Sequence, residues 1–572
     1  MLLARGSMLV PIIALLSGAA WIQDQPKAPL TIPPAVAQIV IVDAHVTDSR
    51  GRPISGLQVE DFELFEDDKP VPITSFRPPG SSSIPAPSAP DGAVAVTSTP
   101  ETAVREPLTV AIYVDRFHLS PGGRKRALDQ AAALGAAHIA QGARVIVIAD
   151  DPELRALTPL TADASLVSAE LRRIQGWATT SPGVGEGRQT LDNIRVRIEM
   201  AELEGGCPNR PPCVCVLPEL IGMVRIYAIA RAADAKGAGD RLSFLVAALG
   251  SLPGRKALIY VSEGLEQRPG IHLYEQIGTI CPQAMEKEFG TITAAMQEFE
   301  TSIALREAAA RANAARVSFY PIDARGLTGL SSADITEAVR EYTPTAKNDS
   351  IRDANLVNPL QLLAEETGGF PLLRGVNPDA AMKRFDADAS GHYVLGFVPG
   401  EPDGRTHPLR LRLTAAAQAK RKIEIRHRQS YFRALVPDRR GQRALAAMVF
   451  GLEENGLEIE AEVERVDART ARVRAVLLLS SLTPVPGTEE ARLKVVISYR
   501  KENDPRSAPV VREKDVTFGM TASERELEGG LREIIVDVPI DASRYRFVVA
   551  IEDMTSNRAT YLKRPVGPQE AQ

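Results

Sequence analysis

Four uninterrupted apolar runs dominate the middle of the chain: LTVAIYV (108–114), ARVIVIA (143–149), KALIYVS (256–262) and RVSFYPI (316–322). A strand with one wet face alternates apolar and polar residues, so a strand apolar throughout must be covered on both faces. Helical stretches lie between the runs, at Arg124 to Ala140, Ala164 to Gln175, Glu219 to Leu249 and Ala284 to Ala315. Strand and helix in repeated alternation predict a doubly wound, mostly parallel α/β sheet with right-handed crossovers. One strand departs from this rule. LRALTPL (154–160) follows the second run across Asp150-Asp151-Pro152, a hairpin signal, and is expected to lie antiparallel at an edge. The region closes with LQLLAEETGGF (360–370), a helix stopped by Gly368-Gly369, then PLL and a helix over Asp379 to Asp388.

The 572 residues exceed what one core can organise, since single cores stop growing at about 250–300 residues. Residues 39–76 and 391–432 read as short strands, each set too small to stand alone, and are expected to pair with each other around an inserted 107–390 domain. Residues 78–106 are rich in Pro, Ser, Ala and Thr and lack aromatics, which predicts a flexible linker. From 436 to 566 the runs ARTARVRAVLLLS, ARLKVVISYR, REIIVDVPI and RYRFVVAIED have the spacing of an immunoglobulin-like β-sandwich. Arg421, Lys422, Arg426 and Arg428 alternate with apolar residues and are read as the wet face of a strand.

Residues 1–20 combine Arg5, an apolar stretch from Met8 to Leu16 and the small residues Gly18-Ala19-Ala20, as in a secretory signal peptide. A Pro-rich spacer (21–37) follows, and no transmembrane span is expected once the signal is removed. Export predicts a periplasmic or extracellular location. It also makes disulfides the leading reading of Cys207, Cys213, Cys215 and Cys281, with a zinc cluster as the rival. A net charge of −5 argues against nucleic acid as a partner.

The strand ending in Asp115, the edge hairpin, the strand ending Ser262-Glu263-Gly264 and LAEETGGF (363–370) together resemble a von Willebrand factor A domain. With VTDSRGRPISGLQVEDFELFEDDKPVPITSF (46–76), LTVAIYVDRFHLSPGGRKRAL (108–128), HYVLGFVP (392–399) and 403–432, the chain resembles the acidobacterial VWFA-related family. The resemblance spans about residues 39–432. It implies an exported protein of undetermined biochemical role and, for A domains generally, protein binding at the C-terminal edge of the sheet; a non-enzymatic protein that binds a protein or cell-envelope ligand there is the leading expectation.

In A domains that edge holds a divalent metal on Asp-x-Ser-x-Ser, a Thr and a further Asp. Here Asp115 fits the first position, but Phe117 and Leu119 replace both serines and Glu263 replaces the second Asp; Thr190 is the candidate Thr. Mg2+ or Ca2+ held by Asp115, Thr190 and Glu263 would lack two hydroxyl ligands, so a degenerate, metal-free site is expected. Asp115, Phe117, His118, Ser262 and Glu263 are then the partner-binding candidates. Asp115 has a second reading, as a cap of the following turn, and Ser120 before Pro121 reads as a helix N-cap. The Gly-rich SPGVGEGR (181–188) lacks a following Lys-Ser/Thr and reads as a flexible loop, and no hydrolase or nucleotide-binding motif is present. Metal-dependent adhesion through the same loops and an envelope hydrolase using an acid pair are the two alternatives.

Overall fold

A computed structural model describes residues 39–566 except 50, 80–107, 151–152, 178–181, 204–215, 253, 326–345, 374–382, 402, 419–422, 434–438, 452–453, 503, 505–508, 522, 524–529, 557 and parts of 282–298 and 386–390. The expected signal peptide, spacer and linker, and Cys207, Cys213 and Cys215, lie outside the described residues. Cys281 is buried at the end of a helix. No helix among the described residues is long and apolar enough to cross a membrane.

Four strands come first: β1 (Val40–Asp48), β2 (Phe62–Glu66), β3 (Lys69–Val71) and β4 (Ser75–Arg77). The α/β region follows, with β5 (Leu108–Val114), α1 (Pro121–Ala140), β6 (Arg144–Asp150), β7 (Leu154–Ala156), α2 (Ala164–Gln175), α3 (Pro182–Leu203), α4 (Leu217–Gly250), β8 (Arg255–Ser262), α5 (Ile271–Ile280), α6 (Ser302–Ala314), β9 (Val317–Asp323) and α7 (Ala346–Glu366). Then come β10 (Tyr393–Phe397), β11 (Arg405–Leu413), β12 (Ile423–Arg426) and β13 (Ser430–Arg433). The last region holds α8 (Arg439–Phe450), β14 (Glu454–Asn455), β15 (Glu460–Arg465), β16 (Thr470–Leu478), β17 (Glu490–Lys501), β18 (Val510–Gly519), β19 (Leu531–Pro539), β20 (Tyr545–Asp553) and β21 (Ala559–Val566).

The central sheet has the order β7-β6-β5-β8-β9, with β7 antiparallel and the rest parallel. Its apolar runs divide by parity. Ala111, Tyr113, Ile146, Ile148, Leu258, Tyr260, Val317 and Phe319 enter one core with α4, α6 and α8. Val110, Ile112, Val114, Val145, Val147, Ile259, Val261 and Ile322 enter another with α1 and α2. Past the last parallel strand, Leu372 bridges Ile322 in parallel. Gly369 makes that approach possible, since a Cβ there would lie 1.9 Å from the Phe319 carbonyl oxygen.

The strands on either side of this region share ladders. β1 pairs antiparallel with β10 and β12, and β2 with β11, which builds two four-stranded sheets around a common core. Of the residues read as a wet face, Arg421 and Lys422 lie outside the described residues, and Arg426 and Arg428 are a correction. Arg426 turns inward and holds Asp388 with two bonds of 2.6 and 2.9 Å, and Arg428 donates to the Asn313 carbonyl. Arg255 reaches the same seam, 3.2 Å from His45, with Asp43 and His392 beside it. An arginine on a strand that lies against another domain can bury its stem and find carboxylates there, which strand periodicity alone does not reveal.

The C-terminal region has sheets β14-β21-β20-β17-β18 and β15-β16-β19 around one core. It opens with helix α8, which the strand spacing did not predict. α8 packs on α4, β17 and β20 and places Ala444, Ala447 and Met448 in the sheet's own core. Buried Arg500 of this region pairs with buried Glu153 before β7 and donates to the Leu154 carbonyl. Glu153→Ala leaves that guanidinium without its carboxylate and is expected to cost about 3–5 kcal/mol in urea unfolding. Glu153→Leu with Arg500→Met should recover most of it. A loss below about 1 kcal/mol for the single change would count against the pair as the tie.

Two helical expectations change. The predicted helix over 284–315 is interrupted, because the chain turns at 299–301, where Thr301 bonds back to the Gln267 carbonyl, before α6 begins. The Gly-rich stretch read as a loop opens α3 instead, its backbone helical from Pro182, a residue suited to a helix start.

Candidate functional site

Ligands of doubly wound sheets bind beyond the carboxyl ends of the strands, where adjacent crossovers leave on opposite faces. Here that point lies between β5 and β8: α1 covers one face, and α4 and α6 cover the other. β5 delivers Asp115 and the turn Arg116–His118, and β8 delivers Ser262 and Glu263. The two loops are bonded together, with the Glu263 N–H donating to the His118 carbonyl at 2.8 Å. Gly264 completes the turn at φ +94°, where a Cβ would lie 2.2 Å from the Leu356 carbonyl oxygen.

Asp115 is fully buried. Its Oδ2 accepts from the Tyr260 hydroxyl at 2.6 Å and lies 2.9 Å from His118 Nδ1. The capping reading is corrected: among the described residues no backbone N–H reaches its side chain, although its carbonyl starts the turn. Ser120 does sit at the N-cap before Pro121, but its hydroxyl goes to Glu263, whose Oε1 also accepts the Ser120 N–H at 2.7 Å. Glu263 thus caps α1 from across the sheet. Ser262 is buried and accepts from the Gly264 N–H.

Behind this rim lies a group that sequence reasoning missed. Arg241 of α4 stands 3.9 Å from Asp115 Oδ1 and 3.9 Å from Asp150 Oδ1. Asp150 accepts from the Tyr113 hydroxyl at 2.8 Å, and Tyr113 and Tyr260 stack with centroids 5.6 Å apart. The Arg241 guanidinium also covers Phe117, 4.7 Å from its ring centroid, so Phe117 is half-buried rather than a bare apolar anchor. Burial would raise the Asp115 carboxyl, but His118, Arg241 and the Tyr260 hydroxyl outweigh it and hold it at about 2. Asp150 is pushed up to about 6 by burial, with the Asp115 charge adding to it against Arg241. The pair share one guanidinium, and Asp115 keeps the charge.

Thr190 does not join this group as a loop ligand, being an exposed residue within α3. No group of three or more His, Cys, Asp or Glu side chains among the described residues is arranged to hold a metal ion. The rim also has a neighbour that the sequence did not announce. The 34 residues of α4 span about 51 Å at ~1.5 Å per residue, against about 26 Å for the eight of β8 at ~3.3 Å. Only the second half of α4 packs on the sheet; Leu217 to Tyr227 pack with α3 and α5, and α3 touches the Arg116–His118 turn.

A signal for Arg241 was present in α4. Ala238, Leu242 and Leu245 form its buried stripe, and a cation at that helical phase must find a buried counter-charge. Asp150 was read as turn chemistry, which hid its position at the end of a buried strand. Compared with models of protein families the chain matches none, and no curated protein matches it.

Proposed function

We propose that the chain is an exported binding protein with a von Willebrand A-like central sheet, whose rim engages a protein or cell-envelope ligand without a metal ion or catalysis. Strand order and the placement of Asp115 and Ser262-Glu263 at the ends of adjacent strands support the likeness. The observation that carries the metal-free reading is Arg241, a tethered cation set between the Asp115 and Asp150 carboxylates. A divalent ion at Asp115 would stand beside a fixed like charge, without the two missing hydroxyls and without Thr190. Binding then rests on the outer surface of the two loops, with Phe117, His118 and Glu263 half-buried there.

Calorimetry with Mg2+, Mn2+ and Ca2+ is expected to give no binding heat. Capture of an envelope ligand by the full chain should survive chelator and fall at least tenfold in Phe117→Ala protein of unchanged melting temperature. A saturable heat lost in Asp115→Asn would establish metal-dependent adhesion instead. Undiminished capture by Phe117→Ala would remove the rim as the binding surface, and a hydrolytic activity lost in Asp115→Asn or Glu263→Gln would make the protein an enzyme.

A further inference from the structure

The two sheets of the C-terminal region part at one corner. On one side of the opening lies β15, which pairs with β16 alone among the described strands. On the other lies β21, which among the described residues β14 covers only at Thr560 and Tyr561. A groove of about 670 Å3 runs between them, lined by Glu460 to Glu464 and by Leu562, Arg564 and Pro565.

Register fixes which backbone groups face this groove. The Val466 N–H bonds the Thr470 carbonyl, so residues of even number on β15 direct their backbone groups toward β16. Ala461, Val463 and Arg465 therefore direct theirs outward. Side chains, not a strand, occupy part of that edge. Asn455 brackets the N–H and C=O of Ile459 at 2.8 and 3.2 Å, and Arg564 Nε donates to the Ala461 carbonyl at 2.6 Å. Such contacts can exchange for a backbone ladder without unfolding anything.

Alternation sends Ala461 and Val463 inward and leaves Glu460, Glu462 and Glu464 exposed on one face, about 6.8 Å apart at ~3.4 Å per residue. The arginines beyond them are already engaged by β19, Arg472 with Asp537 at 2.8 Å and Arg474 with Glu533 at 3.0 Å. The three glutamates are thus the unbalanced charge along an open edge. We propose that β15 is a docking edge for an extended segment of a partner protein that carries Lys or Arg at alternate positions. Backbone bonds to Val463 and its outward neighbours would supply the ladder, and the glutamates would select charge at period two. A second copy of β15 is excluded as the occupant, because it would set glutamates against glutamates.

The test is fluorescence anisotropy on the full chain with three labelled nine-residue peptides: alternating Lys and Val, alternating Glu and Val, and a Lys/Val peptide of the same composition with its lysines contiguous. Saturable binding is expected for the alternating Lys peptide and at least tenfold weaker binding for the other two. The Glu460/Glu462/Glu464→Gln protein should lose about tenfold, and Arg564→Ala, which uncovers the Ala461 carbonyl, should gain. Amide exchange read by mass spectrometry must show protection of 461–465 on binding. Equal binding of the contiguous and alternating Lys peptides, or binding without that protection, would reduce the site to nonspecific charge and overturn the proposal, as would no saturable binding.

Discussion

Replacing Arg241 with Met is expected to destabilise the protein by about 3–5 kcal/mol in urea unfolding, because it strands two buried carboxylates without their cation. The direction of rescue makes the test specific. Asp150 already tends toward its neutral form, so Arg241→Met with Asp150→Asn should recover a large part of the loss. Asp115 is the member held ionised, and Arg241→Met with Asp115→Asn should also lose the bond geometry with His118 and Tyr260. Equal stability of wild type and Arg241→Met would show that the guanidinium is not the rim's counter-charge. The metal-free reading would then lose its main support.

Acid should weaken the fold well above the range in which ordinary carboxylates titrate. His272 and His392 are each depressed well below the usual histidine value, first by burial and then by nearby arginines, Arg352 and Arg195 for His272 and Arg255 for His392. Asp43 opposes the shift at His392, while His45 and Arg77 add to it. A base with a depressed folded pKa binds its proton only on unfolding, so stability falls as pH drops below about 6.5. Each such group contributes about 1.4 kcal/mol per pH unit. Asp150, raised to about 6, works the other way, since the folded state keeps its proton where the unfolded chain has lost it. His407, raised by Asp67 and Asp403 against burial, also opposes the trend. His45 and His427, both lowered first by burial, reinforce it.

Taking His272 and His392 against Asp150, the net loss between pH 7.5 and 5 is about 2–3 kcal/mol. Urea unfolding at the two pH values measures it directly. His272→Phe, which removes a ring whose two nitrogens have no hydrogen-bond partner among the described residues, should remove about three quarters of the loss. A protein equally stable at both pH values would contradict the assignment of these rings as buried and neutral.

The central sheet could be read from composition along the chain because its cause is local. A strand covered on both faces must be apolar at every position, and the four runs at 108–114, 143–149, 256–262 and 316–322 lie on or within one residue of β5, β6, β8 and β9. The antiparallel pairing of β7 with β6 was expected from the sequence Asp150-Asp151-Pro152 for an equally local reason, and Asp115 and Glu263 fall at the rim because they end their strands. Three things were not local. Arg241 meets Asp115 across 126 positions of sequence, which only the packing of α4 on the sheet brings about. Arg426 and Arg428 look like surface residues until the seam with the neighbouring region supplies their partners. Pro182 and its glycines look like a loop until α4 and α5 give α3 something to pack against. Backbone pattern is set by each residue's own burial and hand. The pairing of buried charge is set by which distant carboxylate the folded chain places within reach, and that was decided by the tertiary structure alone.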